Sequence, residues 1–135
     1  TAGTEMRRRV RSAELSWRSL MHHAALMNPF RHGWYAWQLI SHKLVRRASP
    51  LFLVTLLVSN LALVEAGRVY ALAFAAQVAF HALAAAALWR PELRRFRVAA
   101  IAAFFLMSHA AMALGFLHYA AGRRSVVWTP SREGG

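Results

Sequence analysis

Residues 28–50, NPFRHGWYAWQLISHKLVRRASP, join a basic, water-compatible segment to an almost continuously apolar one. Trp34, Tyr35 and Trp37 carry amphipathic rings that favour the headgroup zone of a bilayer. Arg31, Lys43, Arg46 and Arg47 are cations that an anionic leaflet attracts and the hydrocarbon core excludes. The stretch therefore reads as a collar at a membrane surface. Asn28 followed by Pro29 is a helix start, the amide as cap and the proline where its missing N–H costs nothing. The helix it predicts, over 30–47, carries too many cations to cross a bilayer cheaply and is expected to lie in the interface. Gly33 is a weak point in it that close packing against a neighbour would explain.

Downstream of the collar, residues 50–64, 69–89 and 98–119 hold only isolated polar side chains, and each run approaches the roughly 20 residues a spanning helix needs. Three transmembrane helices are predicted, over about 49–66, 69–89 and 98–120. Ser49 and Pro50 repeat the cap-then-proline signal and open the first, which gains length if Glu65 and Arg68 reach the far headgroups. The short loop after it makes the first two spans an antiparallel hairpin. The second span is rich in small residues (Ala75, Ala76, Ala79, Ala82 and the run 84–87), which predicts that it is the closely packed one.

Upstream, Thr4 is placed to cap a helix over 5–27 with Glu5 in its first turn. Met6, Val10, Ala13, Trp17, Leu20, Met21 and Ala24 recur at helical spacing, while Arg7, Arg8, Arg9, Arg11 and Arg18 spread over the other faces. This is a basic amphipathic helix, able to lie on the membrane or to dock on a soluble domain. The expected organisation is an all-α membrane protein: amphipathic and interfacial helices over 1–48, a spanning region over 49–121 and a polar tail over 122–135. The N-terminal segment and the four arginines of RPELRRFR (90–97) hold most of the cations, which places them on the cytoplasmic side of the membrane. Arg123, Arg124 and Arg132 in the tail pull against a three-span count.

Composition narrows the chemistry. A chain of 135 residues that is 58% hydrophobic exceeds what a soluble domain of that size can bury. Its net charge of +12 would suit nucleic acid, but the apolar runs redirect that charge to anionic lipid. There is no cysteine and no aspartate, which excludes thiolate chemistry and a Ser/His/Asp set. The five acids, Glu5, Glu14, Glu65, Glu92 and Glu133, are too scattered for a carboxylate pair or an acidic metal site. Seven histidines draw attention. His22 and His23 are adjacent and point to different faces, and His32 and His42 stand ten apart. His81 and His109 are the one pair to consider for a heme or metal between helices. The simpler expectation for them is a hydrogen bond to Gln77, Ser108 or a backbone carbonyl, with Asn60 and Gln77 acting as interhelical glue.

The collar sequence NPFRHGWYAWQLISHKLVRRASPLFLV and the tail VVWTPSR resemble the C-terminal membrane region of bacterial family 2 glycosyltransferases, inverting enzymes related to hyaluronan and cellulose synthases. The resemblance runs through essentially the whole chain. It implies a preceding cytoplasmic catalytic domain that binds the nucleotide-sugar donor with Mg²⁺ or Mn²⁺ and transfers sugar to a glycan or lipid-linked acceptor. The start at Thr1, without an initiator Met, fits a piece of such a protein. Processive members carry a Gln-x-x-Arg-Trp motif on an interfacial helix. Its nearest counterpart is RRVRS at residues 8–12, where Arg8 stands for Gln, Arg11 holds the diphosphate-binding position and Ser12 stands for Trp. Trp17, a turn later, is the candidate substitute for acceptor stacking; its other reading is an apolar anchor. On this view the chain is an anchoring fragment with no catalytic residue of its own. The rival readings are a free-standing small subunit of an envelope complex and a heme-binding bundle through His81 and His109.

Overall fold

The computed structural model describes residues 2–122, and among these every regular element is helical. Helix α1 covers Ala2–His22 and a 3₁₀ turn follows at Ala24–Met27. Helix α2, Pro29–Leu39, passes through a π-helical segment, Ile40–Val45, straight into α3, Arg46–Ala62. Helix α4 covers Arg68–Trp89, a 3₁₀ segment Pro91–Arg95 turns the chain, and α5 covers Arg97–Ala120. By length and composition three helical stretches are long and apolar enough to cross a membrane: Pro29–Ala62, Arg68–Trp89 and Arg97–Ala120.

Four boundaries differ from expectation. Thr4 lies inside α1 rather than at its cap, and α1 ends at His22, five residues short of the predicted 27. More consequential is the absence of a break at Ser49. The expected interfacial helix and first span are one continuous run, with Pro50 inside α3, where it withholds the N–H that would bond the Arg46 carbonyl. The run ends at Ala62, short of the predicted 66. The Asn28 signal is used as expected: its backbone is extended (φ −79°, ψ 107°) and its side chain accepts the Phe30 N–H at 3.0 Å.

Gly33 interrupts α2 with φ 51° and ψ −127°, a conformation that side-chain-bearing residues rarely adopt. A Cβ there would meet nothing within 4 Å, so packing is not the reason for glycine; backbone conformation is.

The closely packed helix is α5, which touches α1, α3 and α4. Ala99, Ala102, Ala103, Ala111 and Gly115 are buried along it, whereas α4 buries only Ala84 and Ala87. The small-residue content of α4 was the wrong guide. On one side Ala87 meets Ala99 and Ala103. On the other, α1 crosses at Gly115, where an added Cβ would stand 2.5 Å from Ala13 Cβ and 2.9 Å from the Glu14 amide nitrogen. Only glycine allows backbones to come that close. The apolar stripe of α1 is thus covered by a helix of membrane-spanning length: Val10, Trp17 and Leu20 are buried, and Trp17 lies 5.0 Å from Phe116 between ring centres.

Candidate functional site

Contacts between α1 and α5 advance together along both helices. The Arg9 guanidinium donates to Ser108 Oγ at 2.8 Å and lies 4.7 Å above the Phe104 ring, Glu14 sits at Gly115, and Arg18 lies 5.9 Å from the Tyr119 ring centre. The two helices therefore run in the same direction. Helix α1 is stiffened by two (i, i+4) pairs, Glu5 to Arg9 at 2.8 Å and Glu14 to Arg18 at 3.0 Å. Glu14 is almost wholly buried, 1% exposed, so its Arg18 partner matters far more than a surface pair would.

Where α1, α5 and the head of α3 meet, they enclose a cleft of about 800 Å³. Its cations are Arg9 from α1 and Lys43, Arg46 and Arg47 from the collar. Hydroxyls of Ser12, Ser16, Ser49 and Ser108 and the rings of His42 and His109 complete the polar lining, and no carboxylate belongs to it. Ile101, Phe104, Phe105 and Met112 of α5 supply an apolar wall. The volume lies in the range of small-molecule sites, and the lining suits an amphiphile with a negative head. Trp17 also lines the cleft; it is 7% exposed and its Nε1–H has no acceptor among the described residues.

The candidates read from sequence are distributed unequally. Lys43, Arg46, Arg47 and Trp17 converge on this cleft. Arg11 does not: it borders a separate pocket with Met6, Val10, Leu114 and His118, because six residues along a helix carry it to another face than Trp17. Trp34, Tyr35 and Trp37 are 84%, 56% and 58% exposed, a row of rings outside the cleft. The ending VVWTPSR and the tail arginines lie outside the described residues.

The pairing of Arg9 with Ser108 in this lining is not predicted by the sequence. Ser108 is the one serine in the α5 apolar run and Arg9 belongs to the α1 cations, but only tertiary packing joins residues 99 positions apart.

The polar residues within the apolar helices behave as glue. Asn60 Nδ2 donates to Gln77 Oε1 at 3.1 Å across α3 and α4. His81 and His109 each direct Nδ1–H to the carbonyl four residues back, Gln77 at 2.7 Å and Phe105 at 2.8 Å. Phe80 and Phe105 stand between the two imidazoles in an unbroken series of ring contacts. No group of three or more metal-ligating side chains occurs among the described residues. No protein-family model, curated protein or solved structure matches the chain.

Proposed function

We propose that the chain is the C-terminal membrane module of an inverting family 2 glycosyltransferase of a bacterial inner membrane. In this reading it seats a cytoplasmic catalytic domain, with Mg²⁺ or Mn²⁺ and the nucleotide-sugar donor held by that domain. The observation that supports it most is the docking of α1 on α5. A segment carrying Arg7, Arg8, Arg9 and Arg11 forms one body with a helix of membrane-spanning length, so a domain attached to it would be held against the bilayer. The exposed Trp34, Tyr35 and Trp37 fit a headgroup belt beside that seat. Arg7 and Arg8 are exposed on α1.

The test compares two proteins. Membranes from cells expressing the complete coding frame that contains this chain are expected to transfer labelled sugar from a nucleotide sugar, and the 135-residue chain alone is expected to transfer none. Transfer by the chain alone overturns the reading. So does a start codon just upstream of Thr1, which would point to a free-standing membrane subunit.

A further inference from the structure

We infer that the cleft between α1, α5 and the head of α3 is a binding site for the phosphate headgroup of an anionic phospholipid. The inference deepens the membrane placement argued above and does not depend on the transferase reading.

Charge is the first argument. The Arg9 guanidinium that bonds Ser108 shares the cleft with Lys43, Arg46 and Arg47, and no carboxylate lines it. Clustered cations of this kind require counter-charge. Only Arg9 has it, from Glu5. Lys43, Arg46 and Arg47 form no ion pair among the described residues, and Arg46 and Arg47 are adjacent like charges. A phosphodiester oxygen pair answers all three at once.

The second argument is the wall of Ile101, Phe104 and Met112, which offers an acyl chain an apolar track beside the cationic end. A free phosphate would leave that wall uncovered. A basic pocket between spanning helices is a recurrent way to hold an anionic lipid head.

The test uses the full chain in a non-ionic detergent, titrated calorimetrically with dihexanoyl phosphatidylglycerol, dihexanoyl phosphatidylcholine and inorganic diphosphate. Phosphatidylglycerol is expected to bind at least tenfold more tightly than either of the others. The double substitution Lys43→Gln/Arg46→Gln, at two exposed positions, is expected to weaken it at least tenfold. Arg31→Gln/Arg68→Gln removes the same charge outside the cleft and is expected to stay within twofold. Equal losses from the two doubles would show diffuse attraction and overturn the site. Diphosphate binding as tightly as the lipid would overturn the phospholipid assignment. Flotation with phosphatidylcholine vesicles tests membrane placement separately: a chain that does not float refutes that premise, whereas one that floats with an unaltered titration in the cleft variants refutes only the site.

Discussion

The α1–α5 seam and the α3–α4 seam join helices in the same small protein by opposite means. At the first, Ala13 and Gly115 bring backbones together, a buried Glu14 is held by Arg18, and an arginine crosses to a serine. At the second, neither face is deeply covered, α3 buries no residue at all, and the specific tie is one hydrogen bond from Asn60 to Gln77. Leu51, Phe52, Val54, Leu56, Val58 and Leu61 of α3 remain more than half exposed, as side chains facing lipid do. Hydropathy makes α3 and α5 alike; side-chain size at four-residue spacing makes one a face for lipid and the other a docking rail.

The largest expected effect falls on the buried charge of the first seam. Arg18→Leu keeps an apolar stem beside Tyr119 but leaves the Glu14 carboxylate, 1% exposed, without its guanidinium. Removing one partner of a buried pair costs about 3–5 kcal/mol, and because the Arg18 side chain is 33% exposed the lower end is expected, about 3 kcal/mol. Chemical unfolding in detergent micelles reads it. Adding Glu14→Gln to Arg18→Leu should recover part of the loss; no recovery would mean that the carboxylate is not the cause.

Next is the close crossing itself. Gly115→Val places methyl groups where the Glu14 amide nitrogen and the Val10 carbonyl oxygen already stand within 3.0 Å of a Cβ position. Those contacts are backbone and cannot swing aside, so an overpacking cost of about 2–3 kcal/mol is expected, with α1 lifting from α5. Protease cutting within α1, slow in the wild type, should accelerate in the variant. Unchanged cutting would mean that the two helices are held elsewhere.

How far the sequence carried these conclusions depends on what decides each one. The all-α class and the three spanning lengths follow from apolar runs and need no tertiary knowledge. The stripe of α1 was also legible, since periodicity names the buried face, Val10, Trp17 and Leu20. What covers that face was not, because a period carries no information about a partner. The two cap-then-proline signals show the same limit. Asn28 works as a cap because the chain reaches it extended, after a 3₁₀ turn. Ser49 does not, because the chain arrives already helical through Val45 at φ −59° and ψ −43°, and a cap requires a residue outside the helix. The cleft was half visible: its collar cations were named from sequence, while Arg9 and Ser108 come together only through the crossing at Gly115.

A smaller effect is expected at the Gly33 kink within α2. Gly33→Ala meets no steric neighbour, so its cost is purely conformational, about 1–2 kcal/mol for holding a side-chain-bearing residue at φ 51°. If the variant instead straightens α2 into regular helix, the circular-dichroism signal at 222 nm rises and Trp34 and Tyr35 are re-aimed relative to Leu39. Unchanged ellipticity together with unchanged stability would show that the kink is not fixed by this glycine.

The smallest expected effect tests the second seam. Asn60→Leu and Gln77→Leu each remove one end of the 3.1 Å hydrogen bond between α3 and α4. In lipid such bonds contribute less than their apolar surroundings suggest, because the separated helices also find polar partners; double-mutant cycles average about 0.6 kcal/mol. A cycle of the two single variants and the double should therefore return a coupling of about that size, small beside the Arg18 and Gly115 effects. A coupling above about 2 kcal/mol would place the α3–α4 tie on a level with the α1–α5 crossing and remove the contrast between the two seams. A coupling near zero would leave the hairpin to its short 63–67 connection and to the lipid around it, with Asn60 and Gln77 each satisfied in other ways.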